Sequence, residues 1–291
     1  MQSLDVIIPA YNEEENIGFL VKEIQRALTN NNFRIFVVDD ASEDRTAQLA
    51  RDAGAEVIQL PYHLGNGASI KTGLRSAQAD VVVLMDADGQ HRPEEIPHLL
   101  SEIDNFDMVI GARNFSRLTW RNFANIIYNA FATYVTQFKI EDLTSGFRVV
   151  KREAAHKFLY LLPNGFSYPA TLTLAFLKAG RTIKYIPISC HRRASGRSKI
   201  RLFRDGARFF LIITKVATLF SPLRVFLPVS IFFFLSGILY YIYTYLTQHR
   251  FTNMAVFLLT TAVLIFMLGL VSEQISQLRM DRTEDIPHRN I

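Results

Sequence analysis

Two aspartates stand one residue apart at the end of an apolar run, VVVLMDADGQH, from Val81 to His91. Carboxylates that close repel each other unless a cation or a donor-rich ligand lies between them. Asp86 and Asp88 are therefore candidate ligands for a hard divalent ion, Mg²⁺ or Mn²⁺, that would also take phosphate oxygens. Asp39 and Asp40 close a second apolar run, FRIFVVDD, where a carboxylate accepts hydrogen bonds from ribose hydroxyls or base N–H groups. Capping is the plainer alternative at both places, ahead of the helix that begins near Pro93 and at a turn through Ser42. A third acidic cluster, Asn12-Glu13-Glu14, follows LDVIIPA.

Scattered carboxylates do chemistry only if a scaffold gathers them. Val81–Met85 shows no polar alternation, so both of its faces are covered, as in parallel sheets. Across the first 110 residues such runs alternate with helical patterns: LDVIIPA then 14–28, FRIFVVDD then 45–53, AEVIQL then 67–77, DVVVLMDAD then 93–103, and DMVIGAR. This βα alternation predicts an α/β fold with a doubly wound, mostly parallel sheet. The polar clusters follow the strands and should converge at their carboxyl ends, where such sheets bind ligands. Past Arg113, Trp120, Phe123, Ala124, Ile127, Tyr128, Phe131 and Val135 recur at three and four residues, predicting a helix with one apolar face.

The C-terminal third reads differently. Val225–Gln248 and Phe251–Ser272 carry no charged side chain, and each is about as long as the 20 residues that cross a hydrocarbon core. With a very short connection they predict a transmembrane hairpin. The chain carries a net charge of +5, and nine basic residues against one acid lie between Cys190 and Arg224. In a helix over 202–220, Arg201, Arg204, Arg208 and Lys215 share one edge, and Phe210, Ile213, Ala217 and Phe220 lie opposite. That is the pattern of an interfacial amphipathic helix facing anionic headgroups. No nucleic-acid-binding motif accompanies the basic stretch, so lipid is the expected partner. Basic residues flank the hairpin on one side, with Arg204, Arg208, Lys215 and Arg224 before it and Arg279, Arg282 and Arg289 after it. The positive-inside rule makes that side cytoplasmic. A single cysteine, Cys190, excludes an internal disulfide or a cysteine-based zinc cluster and fits a reducing compartment. The start, MQSLDVIIPA, lacks the pattern of a signal peptide, so the N-terminal domain is expected to stay on the cytoplasmic side. The expected organisation is a catalytic domain over 1–200, a juxtamembrane helix over 201–222, a hairpin over 223–273 and a cytoplasmic tail over 274–291.

Two nucleotide motifs fail. Gly65-Asn66-Gly67 precedes a helix, but position 70 is isoleucine, which breaks G-x-G-x-x-G, and no phosphate-loop motif occurs. A tight turn that lets backbone approach a nucleotide explains the glycines.

Six stretches taken together resemble the inverting family 2 glycosyltransferases, in particular the polyprenyl-phosphate, dolichol-phosphate mannose synthase-like members. They are VIIPAYNEEENI at 6–17, VVDDASEDRT at 37–46, LGNGASIKTG at 64–73, MDADGQH at 85–91, DLTSGFRV at 142–149 and RASGRSKI at 193–200. The resemblance spans about residues 5–200, and the two apolar runs resemble members with membrane hairpins. It implies a GT-A-type domain in which Asp86-Ala87-Asp88 is the DxD element, holding the metal that bridges the diphosphate of a nucleotide-sugar. Pro9, Tyr11, Glu13, Asp39, Asp40, Asn66 and Gln90 would line the nucleotide-sugar. Lys199, in a loop that folds over the diphosphate, would join them. Asp142 aligns with the carboxylate placed near the acceptor as a candidate base. A phosphate acceptor is already largely ionised near pH 7, its second pKa being about 6, so Asp142 can instead orient the acceptor or a basic side chain.

The acceptor phosphate needs cations and hydroxyls, for which Arg113, Arg121, Ser145, Arg148, Arg193 and Ser195 are the candidates, with a structural role equally open for Arg148. The expected reaction is inverting sugar transfer from a UDP- or GDP-linked donor to undecaprenyl or dolichyl phosphate at the cytoplasmic face of a bacterial or archaeal-type membrane. A processive polysaccharide synthase is the second reading, but its QxxRW motif is missing, since the single tryptophan, Trp120, follows Thr119. A non-catalytic, nucleotide-sugar-binding membrane protein is the third. The sequence leaves open the sugar, the nucleotide, the lipid length, the preferred metal and any homo-oligomeric state.

Overall fold

A computed structural model describes residues 3–29, 31–113, 120–165, 168–189, 214 and 217–284. The chain divides into two compact units, one of Met1–Thr133 with Phe138–Arg201, the other of Tyr134–Gln137 with Leu202–Ile291.

The first unit is built on one seven-stranded sheet. Strands β1 (Ser3–Ala10), β2 (Asn32–Asp39), β3 (Glu56–Gln59) and β4 (Val81–Leu84) are joined by parallel pairings. Beyond them lie β5 (Met108–Arg113), β6 (Arg148–Lys151) and β7 (Ile183–Ile188), in the order β3-β2-β1-β4-β6-β5-β7. β6 runs antiparallel to both β4 and β5, while β5 and β7 are parallel. The sheet is therefore mostly parallel, as expected, with one reversed strand. Val82, Val83 and Leu84 are fully buried, which is why β4 shows no polar alternation.

Helices α1 (Ile17–Ala27), α2 (Thr46–Asp52), α3 (Asn66–Ser76) and α4 (Ile96–Leu100) connect the first strands. α1 buries Ile17, Leu20, Val21 and Ile24, the i, i+3, i+4, i+7 stripe, against the sheet. Each such side chain contributes about 1.5–3 kcal/mol on full burial. α3 lies so close to β1 that a Cβ at Gly73 would stand 2.4 Å from Ile7 Cγ2. Helix α5 (Trp120–Thr136) precedes β6, and α6 (Arg152–His156) and α7 (Tyr168–Lys178) follow it. In α5 the buried line is Tyr128, Ala132 and Val135, whereas Ile127, on the same apolar face in the sequence pattern, is exposed. Because β6 is reversed, the loop that enters it, residues 142–147, starts at the same sheet edge where β1, β2, β4 and β5 end.

In the second unit, α8 (Pro222–Gln248) and α9 (Asn253–Glu284) form the hairpin. Each carries a stretch long and apolar enough to cross a membrane, with mean hydropathy 2.1 and 2.6. Only 11% and 17% of the two stretches is buried, unlike the core helix of a soluble protein. The helices meet through small residues: Ser230 Oγ donates to Ala262 O at 2.8 Å, and Gly237 packs on Leu259. The Leu223 N–H donates to Glu273 Oε2 at 3.2 Å, capping the start of α8 from within α9. α9 continues to Glu284, past the expected end of the hairpin at 273, because the polar EQISQLRMDRTE segment is itself rich in helix formers. The expected interfacial helix over 202–220 lies largely outside the described residues.

Candidate active site

Two loops leave the ends of β1 and β2 and lock into each other. The Asn12 N–H donates to Ser42 Oγ (2.9 Å), the Glu43 N–H to Asn12 Oδ1 (2.9 Å), and the Glu13 N–H to Thr46 Oγ1 (2.8 Å). Asn12 and Ala41 adopt left-handed φ of 54° and 59° to make these turns. Glu13 Oε2 accepts from Asn16 Nδ2 at 2.9 Å, and Pro9 is buried in β1. Asp39, also buried, accepts from the Ser42 N–H and Gln59 Nε2, both at 3.3 Å.

Asp40, a candidate for the nucleoside, is also bonded within the chain. Its two oxygens accept the backbone N–H groups of Leu64 (2.7 Å) and Gly65 (2.8 Å), so it anchors the turn into α3. His63 Nδ1 lies 3.0 Å from the same carboxylate, and the imidazole stacks on exposed Tyr11 with ring centroids 4.3 Å apart. Sequence reasoning missed His63, which carries no motif signal of its own. Asn66 is exposed at the start of α3. The glycines beside it serve packing: a Cβ at Gly67 would stand 2.0 Å from Pro163 O. The first amides of α3 are taken by that neighbouring loop, Gly67 N–H by Gly165 O (3.3 Å) and Ala68 N–H by Asn164 O (2.8 Å).

Asp86 and Asp88 follow β4, with Ala87 buried between them and Gln90 half-buried beyond. Asp88 Oδ1 accepts the Gln90 N–H at 3.2 Å. Gly146 lies directly on Asp86, where a Cβ would meet Oδ2 at 2.0 Å and Cγ at 2.5 Å. Among the described residues no group of three or more His, Cys, Asp or Glu could form a metal cage. Two carboxylates in a cradle that only glycine leaves open are hard oxygen donors whose chemistry fits a divalent ion such as Mg²⁺ or Mn²⁺. His91 is buried with its ring 5.3 Å from Phe147. Burial pushes its pKa down to about 4, with Asp88 opposing that shift and Arg113 adding to it.

The DLTSGFR loop enters the same edge. Arg113, at the end of β5, grips Asp142 through Nε (2.7 Å) and Nη2 (3.0 Å), and Nη2 also donates to Thr144 Oγ1 (2.6 Å). Two acceptor-side candidates turn inward, Arg148 in line with its structural alternative. Arg148 is not at the surface: it is fully buried, and its guanidinium donates to Ser145 O, Leu143 O, Pro169 O and Thr173 Oγ1. Ser145 is fully buried as well, its hydroxyl donating to Gly111 O at 2.6 Å. Both hold the loop and neither is presented to a phosphate. Arg121 sits in the first turn of α5, its side chain outside the described residues, as are Arg193, Ser195 and Lys199. Tyr168 and Thr173, which sequence reasoning did not single out, complete the back of the site, with Tyr168 Oη donating to Gly146 O at 3.3 Å.

An open α/β sheet whose carboxyl edge gathers acidic loops defines a nucleotide-binding class of enzyme fold. The chain belongs to glycosyl transferase family 2, whose model matches residues 5–159, and residues 221–278 match the GtrB C-terminal hairpin. It is 34% identical over 213 residues to the dolichol-phosphate mannosyltransferase of Pyrococcus furiosus, covering 68% of this chain and 59% of that protein. It is 32% identical over 214 residues to the polyprenol monophosphomannose synthase of Mycolicibacterium smegmatis, covering 67% of this chain and 80% of the relative. Among solved structures, the glucosyl-3-phosphoglycerate synthase of Mycobacterium tuberculosis, in complex with Mn²⁺, UDP-glucose and phosphoglyceric acid, superposes with a TM-score of 0.60. At 20% identity, over 73% of this chain and 78% of that one, the likeness concerns the fold.

Proposed function

We propose that this protein transfers a hexose from a UDP- or GDP-linked donor to a polyprenyl phosphate, undecaprenyl or dolichyl, at the cytoplasmic face of a membrane. The carrying observation is one loop shared by two chemistries: Gly146 packs on Asp86 of the acidic motif, and Asp142, four residues earlier, holds Arg113. Carboxylates that would hold a divalent ion thus share a loop with a cation suited to an incoming phosphate. Relatives named for transfer to dolichol phosphate, polyprenol and undecaprenyl phosphate support the choice of acceptor.

In this reading Asp86 and Asp88 would hold a divalent ion. When bound, the ion supplies Lewis-acid stabilisation of the departing nucleoside diphosphate. Asp39, Glu13 and the Tyr11–His63 stack line the nucleoside, while Asp40 keeps the turn before α3 in place. An oxygen of the lipid phosphate forms the new bond to the anomeric carbon from the face opposite the breaking carbon–oxygen bond, which inverts the centre. No proton needs to be removed from an acceptor already ionised near neutral pH, its second pKa being about 6. Asp142 accordingly orients Arg113 rather than acting as a base, and catalysis is positioning plus charge stabilisation. The hairpin keeps the enzyme beside a substrate that cannot leave the bilayer.

The test is a transfer assay with the purified full chain in detergent, short-chain polyprenyl phosphate, Mg²⁺ or Mn²⁺, and a panel of radiolabelled nucleotide-sugars, run beside Asp88→Ala. Label entering the lipid phase with one donor, and lost in the variant, supports the reading. Donor binding without lipid-phase label for any donor overturns it.

A further inference from the structure

The loop over residues 142–147 touches both halves of the site, and Arg148 holds that loop. Its guanidinium donates through Nε to Ser145 O at 2.7 Å and through Nη2 to Leu143 O at 3.2 Å, two carbonyls on either side of Thr144. Through Nη1 it donates to Pro169 O and Thr173 Oγ1 in α7, each at 2.8 Å. The side chain is fully buried, and its acceptors, Met108 Sδ at 3.9 Å from Nη1 included, are all neutral. Burying a cation this way is expensive, and an apolar residue of similar volume would fill the space at less cost. A rigid fork of donors, however, is the side chain that can tie two carbonyls of a loop to two acceptors of a helix in one geometry. Tyr168, one residue before Pro169, adds a second tie through its hydroxyl to Gly146 O.

We propose that Arg148 is a positioning residue that fixes the metal-side carboxylate Asp86 and the acceptor-side pair Arg113–Asp142 in one register, by pinning their shared loop to α7. On the metal side the link runs through Gly146, where the Asp86 carboxylate occupies the space a Cβ would take, 2.0 Å from Oδ2. On the acceptor side it runs through Asp142 and Thr144, which hold the Arg113 guanidinium. In-line displacement needs the reacting carbon and oxygen aligned closely, so one loop that fixes both sides removes a degree of freedom from the reaction. The acceptor half of this proposal rests on the transfer reading above, and the metal half only on its assignment of an ion to Asp86 and Asp88.

Two variants of the full chain in detergent test it. Arg148→Lys keeps the charge and loses the fork, whereas Thr173→Val removes one acceptor of the guanidinium at nearly constant volume. Mn²⁺ binding is read by electron paramagnetic resonance in the presence of UDP and, separately, GDP, and acceptor KM is read in the transfer assay. Asp142→Asn, which touches only the acceptor side, and Gly146→Ala, which touches only the metal side, each should move one readout. Arg148→Lys is expected to weaken Mn²⁺ binding by about 10- to 100-fold, as for residues that orient metal ligands, and to raise acceptor KM as well. Thr173→Val should move both readouts in the same direction by less. Should Arg148→Lys fail to fold, Thr173→Val decides alone. Either variant folding and moving only one readout, or lowering the melting temperature with both readouts unchanged, overturns the proposal. A wild type that binds Mn²⁺ and transfers nothing sinks the transfer reading, yet the Mn²⁺ comparison between variants still stands.

Discussion

Asp142 receives the Arg113 guanidinium on both of its oxygens, Nε to Oδ2 at 2.7 Å and Nη2 to Oδ1 at 3.0 Å, with 1% of the residue exposed. The Arg113 N–H (3.2 Å), the Thr144 N–H (3.1 Å) and Thr144 Oγ1 (3.2 Å) reach the same carboxylate. A carboxylate so occupied takes a proton from a substrate only by giving up one of these bonds. Asp142→Asn breaks the pair while nearly conserving shape, and the loss of one partner of a buried ion pair costs about 3 kcal/mol. Denaturation in detergent should show that loss. The transfer assay should show a raised acceptor KM and an unchanged shape of the pH–rate profile. A fall in kcat at constant acceptor KM would return Asp142 to the role of base.

Gly146 and Asp86 give the second prediction. A Cβ at 146 cannot coexist with the present Asp86 carboxylate, 2.0 Å from Oδ2, so Gly146→Ala must turn that side chain out of its place. Overpacking of this kind costs about 1–3 kcal/mol. Metal-dependent nucleotide binding should fall by about tenfold or more, because a displaced ligand loses affinity even while the chain stays folded. Isothermal titration with Mn²⁺ and a nucleoside diphosphate reads it directly, and an affinity equal to wild type would count against Asp86 as a ligand.

A matched pair of glycines separates packing from conformational freedom. Gly67→Ala brings a methyl to 2.0 Å from Pro163 O, backbone that cannot swing away, whereas a Cβ at Gly165 meets nothing within 4 Å. The first substitution should destabilise by about 1–3 kcal/mol and the second should be nearly silent. Thermal melting of the two variants side by side checks this, and equal melting temperatures would contradict the contact.

Much of this edge is legible in the sequence because single runs encode it. Val81–Leu84 is apolar without alternation, which marks a doubly covered strand, and the acids that follow it must then lie at the sheet's carboxyl edge. What was not legible depends on partners distant in the chain. RVVK in β6 does not state its own direction, which is set by the α5 connection that precedes it. Arg148 carries a charge that by residue type belongs at the surface, and its burial depends on acceptors from Leu143, Ser145, Pro169 and Thr173 that converge on it only in the fold. His63 meets Asp40 only once the turn before α3 closes.

His91 gives a pH dependence with a definite sign. Its imidazole is 4% exposed, and burial lowers its pKa from 6.5 to about 4. Between those values the unfolded chain binds a proton that the folded chain refuses, so folding stability rises with pH across this window. The contribution is complete above about pH 6.5 and is lost as the pH falls toward 4. At 1.36 kcal/mol per pKa unit it amounts to about 2–3 kcal/mol between pH 7 and pH 4.5. Unfolding of the wild type and of His91→Gln, measured in detergent with EDTA at both pH values, reads His91 together with its effect on the neighbouring carboxylates Asp88 and Asp142. The wild type should lose about 2–3 kcal/mol more than the variant on going from pH 7 to pH 4.5. Equal losses would mean that His91 takes up its proton in the folded state as readily as in the unfolded chain, against its burial behind the acidic motif.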